Sequence, residues 1–180
     1  MMPLLIALET ALLNGIEHND KQWKHIFALS IPRHVVYFAK LIVAQGLIFI
    51  STFFLSFLTV IVGLVSIQLR PELTTSGPAP YVWIAKTTAM VWLASGLIIA
   101  IHTWISMRWS GFPIPLGAGI GGTFFALFAA SASIGKYYPW LLPMNIFIEG
   151  RMIAALVLGV VGGLVMTFAG CFEFVRRDVT

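Results

Sequence analysis

Charge is what this chain has least of. Of 180 residues only 10% are Asp, Glu, Lys or Arg, where soluble domains carry about 25%, so a soluble globular fold is excluded. Cysteine is nearly absent as well. Cys171 stands alone in an apolar run, which excludes an internal disulfide, and it has no Cys or His neighbour at metal-ligand spacing. The histidines His18, His25, His34 and His102 are scattered, at no zinc-like spacing. No G-x-x-x-x-G-K-[ST] occurs, so the chain cannot hold ATP in a P-loop, and any ATP use belongs to another subunit. No nucleophile and base share an aqueous region, which counts against an enzyme. The formal net charge of +4 comes without a clustered basic face, so nucleic acid is not an expected partner. The start MMPLLIALETALL lacks basic residues and is interrupted by Glu9, so no cleavable signal peptide is expected.

What fills the chain instead is apolar sequence, 59% of it. The reading is an all-α, polytopic transmembrane helical bundle in one domain over 1–180. Residues 3–16 are apolar but shorter than the roughly 20 residues a span needs. They read as an interfacial segment or as the end of a span, a partial span over 1–16. Full spans are expected near 35–69, 81–107, 114–135 and 152–175. The first exceeds the roughly 30 Å hydrocarbon core and must tilt or extend beyond it. PELTTSGPAP (71–80) is a loop by its Pro, Gly, Ser and Thr content. GKYYPWLLPMN (135–145) suits an interfacial loop or a short surface helix. Lys21, Lys24, Arg33, Lys40, Arg108, Arg176 and Arg177 fall on one side of these spans; Arg70, Lys86, Lys136 and Arg151 fall on the other. Basic residues concentrate on the cytoplasmic side, so the first side, with the C-terminus, is expected in the cytoplasm.

One long stretch is polar and amphipathic: EHNDKQWKHIFALSIPRHVVYFAK, Glu17 to Lys40. Asn19 and Asp20 can cap a helix there. Trp23, Ile26, Phe27 and Ser30 share one helical face, with Lys21, Lys24 and His25 largely outside it. Pro32 ends the helix near Leu29 to Ile31. Such a helix either lies in the lipid headgroups or docks its aromatic face in a groove of a cytoplasmic partner.

Polar groups inside the apolar runs are costly and therefore informative. Glu9 must pair or take up a proton if its helix is in the bilayer. His102 either lines a pathway or sits at headgroup level near Trp104 and Arg108. Glu149 and Arg151 are expected to pair at the outer interface. Glu173 is expected to pair with Arg176 and Arg177 at helical spacing. Gly117, Gly119 and Gly122 spell G-x-G-x-x-G, but they open an apolar helix rather than follow a strand, so they read as helix-packing residues, as do Gly159, Gly162 and Gly163.

An apolar helix with Glu9, then Glu17-His18, Trp23-Lys24, ALSIPR from Ala28 to Arg33, and Ala39-Lys40 ahead of a long span resemble permease subunits of the ABC type-2 (ABC-2) exporter family. The branch resembled is that of lantibiotic and bacitracin immunity transporters, whose outer loop is also similar to Tyr138-Pro139-Trp140 and Leu142-Pro143. Ser30 departs slightly from that pattern. Family members usually have six spans, so the resemblance implies an N-terminally truncated chain lacking the first. It also implies a coupling segment over 18–33, with its helix at 20–31, that docks on a separate ATP-binding subunit carrying ATP-Mg. Trp23, Ile26 and Phe27 would anchor it, with Lys24, Pro32 and Arg33 at its rim and exit. A second permease copy or a sister permease would complete the pore, and the substrate would be a peptide, antibiotic or lipid-like molecule. Other classes remain: a membrane scaffold or sensor component, or a membrane-embedded enzyme using Glu9, His18 or His102.

Overall fold

The computed structural model describes residues 2–19, 31–70, 72, 80–109 and 111–176, with backbone only at 16–19. All its regular elements are helical. Helix α1 is Met2–Asn19, α2 Arg33–Leu69, α3 Tyr81–Ala94, α4 Gly96–Arg108 and α5 Pro113–Ala129. Two 3₁₀ turns, Ser133–Lys136 and Pro139–Leu141, lead to the short α6, Leu142–Asn145. The last helix is continuous over Met152–Arg176 but contains a π-helical turn, Leu158–Gly162, between α7 (Met152–Val157) and α8 (Gly163–Arg176).

Two helices are long and apolar enough to cross a membrane, α2 and the Met152–Arg176 helix. A third candidate is α3 with α4, two halves bent 44° apart at Ser95. α1 and α5 are shorter apolar helices. The helix expected to run unbroken over 81–107 is thus interrupted at Ser95. Hydropathy cannot see the break, because Ser95-Gly96 interrupts apolarity for only two residues. α5 stops at Ala129, short of the expected 135, because Ala130 to Ala132 turn the chain into the 3₁₀ segment.

The apolar residues are turned outward more than inward. In the most apolar window of α2 only 11% of residues are buried, and in that of the last helix 22%. Phe124, Leu127 and Phe128 on α5, and Leu164, Val165 and Phe168 on α8, are exposed. A soluble protein would bury such residues; here the apolar surroundings do it. Between helices the contacts run through small side chains, since lipid supplies no hydrophobic drive for association and close van der Waals approach must do the work. Gly96 faces the backbone of Gly159 and Gly163 at the π turn, and Gly119 faces Ala7. The packing role read for the glycines therefore holds at Gly119, Gly122, Gly159, Gly162 and Gly163, whereas Gly117 has open space beside it.

α1 enters the bundle by one face and leaves Leu8 and Leu12 exposed on the other. It packs against α2, α4 and α5, burying Ile6, Ala7, Thr10, Ala11 and Asn14. It runs beyond 3–16, over Met2–Asn19. Asn19, expected to cap a following helix, is still helical in α1.

Candidate functional site

The polar groups inside this apolar frame form three constellations. The first centres on Glu9, on the α2 side of α1. Its Oε1 accepts a hydrogen bond from Ser51 Oγ of α2 at 2.5 Å, while its Oε2 is buried with no partner. A lone pair left unpartnered in an apolar interior costs about 1–3 kcal/mol, so the Ser51 bond is what makes the position tolerable.

The second is an interior aromatic and histidine cluster. His102 on α4 is 0% exposed. It is enclosed by the bundle rather than turned to the outside. Its ring packs edge-on against Trp140, centroids 5.5 Å apart, with the α1 residue Ala7 and Gly119 of α5 beside it. Neither ring nitrogen of His102, nor the indole N–H of Trp140, has a hydrogen-bond partner. Trp140 reaches in from the loop after α5 because Gly122 leaves room for its ring. Tyr138 stacks on Trp140 at 5.4 Å and donates to the Gly122 carbonyl at 3.0 Å, and burial raises its phenol pKa. Asn145 donates to the Gly135 carbonyl at 3.0 Å and to that of Lys136 at 3.3 Å, tying the two ends of the loop together. The 135–145 segment, expected on the surface, thus sends Trp140 into the bundle. A tryptophan two residues past an interfacial tyrosine was the available signal, but interfacial belts use the same residues.

The third lies where α2 begins and where α4 and α8 end. Arg33 Nη1 donates to the Val175 carbonyl at 3.3 Å. Glu173 on α8 accepts from Trp104 Nε1 at 2.8 Å and is paired with Arg108, both on α4. The expected local pairing of Glu173 with Arg176 is replaced by this cross-helix pair, because Glu173 is turned towards α4; Arg177 lies outside the described residues. Tyr37, Met107 and Cys171 pack together at the same end. Glu149 is exposed, and it makes no ion pair with Arg151.

Of the site residues read from the sequence, Trp23, Lys24, Ile26 and Phe27 lie outside the described residues, as do the helix expected at 20–31 and nearly all of the 71–80 loop. Pro32 precedes α2 and is exposed; Arg33 opens α2. Glu9 and His102 are not brought into a pair: one bonds to α2, the other packs on α5 and Trp140. Among the described residues no three His, Cys, Asp or Glu side chains converge as a metal site.

A family model described as "ABC-2 family transporter protein" matches residues 1–126. The chain belongs to the ABC-2 transporter family. No curated protein and no solved structure matches it. The match takes in α1, the Glu17–Lys40 stretch, α2, the bent α3–α4 pair and most of α5. With its outward-facing apolar helices, family membership makes this a membrane protein, and a component of a transporter rather than a self-sufficient catalyst.

Proposed function

We propose that this ABC-2 chain is the membrane-spanning permease subunit of an ATP-binding cassette exporter of the lantibiotic and bacitracin immunity type. It moves a peptide, antibiotic or lipid-like substrate while a separate cytoplasmic subunit binds and hydrolyses ATP-Mg. The family match over residues 1–126 carries this reading. These 180 residues carry no P-loop, which supports an ATP site outside them. The chain crosses the cell membrane four times, through α2, the bent α3–α4 pair, α5 and the Met152–Arg176 helix. α1 is a partial span inside the bundle. The segment 18–33 and the C-terminus are cytoplasmic, and a second copy or a sister permease completes the translocation path.

In this reading Trp23, Ile26 and Phe27 anchor a coupling helix in a cleft of the ATPase subunit, with Lys24 at the rim. Pro32 ends that helix and Arg33 begins α2. The Arg33 contact with Val175 then ties the exit of the coupling segment to the end of the last helix. Motion of the docked segment reaches α8 through Arg33 and α4 through the Glu173–Arg108 pair.

Buried aromatic anchors carry about 2 kcal/mol or more each at such contacts, roughly a thirtyfold change in affinity. Trp23→Ala and Phe27→Ala are therefore expected to remove the ATPase subunit from affinity-purified permease while both variants remain membrane-inserted. Unchanged co-purification in both variants would refute the docking assignment.

A further inference from the structure

Between α2 and α3 runs a groove of about 360 Å³, lined among others by Thr52, Ser56, Thr59, Thr87, Thr88 and Trp83. Most of the lining is apolar, with Met2, Leu55, Ile84, Val91 and Phe147 contributing, and the hydroxyls form the polar exception. They are arranged in one sense. Thr52 donates to the Ile48 carbonyl at 2.5 Å, Thr59 to Leu55 at 2.9 Å and Thr88 to Ile84 at 2.8 Å. Ser56 lies 3.1 Å from the Thr52 carbonyl and 2.8 Å from the Thr88 hydroxyl. With the Thr88 proton on Ile84, the Ser56 proton goes to Thr88 and takes one of its two lone pairs. Thr52 Oγ1 also lies 3.8 Å from Met2 Sδ. Only Thr87 is not turned onto a carbonyl of its own helix.

A hydroxyl has one proton and two lone pairs. Once the proton is given to a backbone carbonyl, the oxygen can only accept. The groove therefore presents a row of acceptor oxygens along apolar walls, two of them on the buried residues Thr52 and Thr88. Carboxylate and phosphate groups, which are acceptor-rich themselves, meet lone pair with lone pair there. An alkylammonium head is the complement: three donors, no acceptor, and a charge that strengthens each bond. Depth fits too. Thr52 lies about 28 Å along α2 from Arg33, close to a full hydrocarbon thickness of about 30 Å. The head group would sit at the interface furthest from Arg33, with its chain along the exposed Leu55 and Trp83. Lys86 is exposed and not part of the lining.

We infer that this groove binds the ammonium end of an amphipathic amine, and that this amine is cargo. The second half rests on the permease reading; the first does not. The test uses the full chain in phosphatidylcholine nanodiscs, whose headgroups carry no N–H donor. A brominated long-chain alkylammonium is titrated in, and quenching of tryptophan fluorescence is followed, with Trp83→Phe identifying the share that arises at the groove. Thr52→Val together with Thr88→Val keeps side-chain shape and removes two acceptors. It should weaken binding about tenfold or more, as should replacing the probe's ammonium by trimethylammonium, which keeps the charge and loses the donors. Ser56→Ala with Thr59→Val is a second route should the first pair fail to insert, and Ser66→Ala, outside the groove, should change nothing. Equal binding of the trimethyl probe or of an alkyl sulfate, or no effect of either acceptor pair, overturns the site. Displacement of the probe by phosphatidylethanolamine in the disc overturns the cargo assignment and makes the groove a lipid site. No nucleotide or ATPase subunit is present, so failure here and failure of the co-purification test are separable results.

Discussion

The contact between the Ser95 break and the π turn makes an unusual prediction about a single methyl group. A Cβ on Gly159 would stand 2.5 Å from Ala94 Cα, 2.6 Å from the Leu93 carbonyl oxygen and 2.7 Å from that of Ala94. All three are backbone atoms, so no rotamer change relieves the clash. Two effects oppose each other. Gly→Ala inside a helix ordinarily stabilises by up to about 1 kcal/mol. Overpacking a well-filled contact costs about 1–3 kcal/mol, and three simultaneous backbone contacts put Gly159 towards the upper end. Gly159→Ala should therefore destabilise by about 1–2 kcal/mol on balance. Gly63→Ala on α2, with nothing within 4 Å of its Cβ position, should be neutral or stabilising. Both variants can be heated in one detergent and the folded fraction read by size exclusion. The expected shift is about 3–6 °C downwards for Gly159→Ala, and none or upwards for Gly63→Ala. A Gly159→Ala protein that unfolds at or above the wild-type temperature would refute the close backbone packing.

Trp140→Ala empties the space against Gly122 and His102 and should cost about 3–5 kcal/mol in the same assay. Gly122→Ala should be destabilising alone and harmless in the Trp140→Ala background, since its clash is with that ring; additive effects would argue that the ring is elsewhere. Ser51→Ala removes the donor to half-buried Glu9 and should lower stability by about 1–3 kcal/mol, visible as a fall in midpoint. Glu173→Ala should cost about 1 kcal/mol or less, because the pair with Arg108 is partly exposed. That loss should shrink in high salt, and a salt-independent loss would point to the Trp104 bond alone.

Much of the architecture was legible because lipid makes hydropathy nearly decisive. α2 and the last helix lie within two residues of the boundaries read from apolar runs and flanking Arg. Contacts between helices were less legible. Glu173 has Arg176 and Arg177 three and four residues on in the sequence, and only the rotation of α8 against α4 shows that Arg108 is a partner. The Ser95 break depends on the glycines at the π turn more than sixty residues later. Trp140 looked like an interfacial aromatic because the glycine that admits it, Gly122, lies on another element. Glu9 and His102 could be flagged from polarity alone, yet their neighbours Ser51 and Trp140 could not, as neither is unusual where it stands.

The length of α2 carries a mechanical consequence. Its 37 residues measure about 55 Å, and even at a steep 40° lean they would cover about 42 Å of a hydrocarbon layer near 30 Å. Beyond Ser56 none of its residues is buried by the rest of the chain. Among the described residues, that half meets α3 at the edge of the groove, by Thr59. A thicker bilayer draws more of it into the acyl layer, and a thinner one expels it or leans it further, at a cost of fractions of a kcal/mol per ångström. A change of bilayer thickness therefore falls on the half of α2 beyond Ser56, past the Ser56–Thr88 contact that ties the groove to α3.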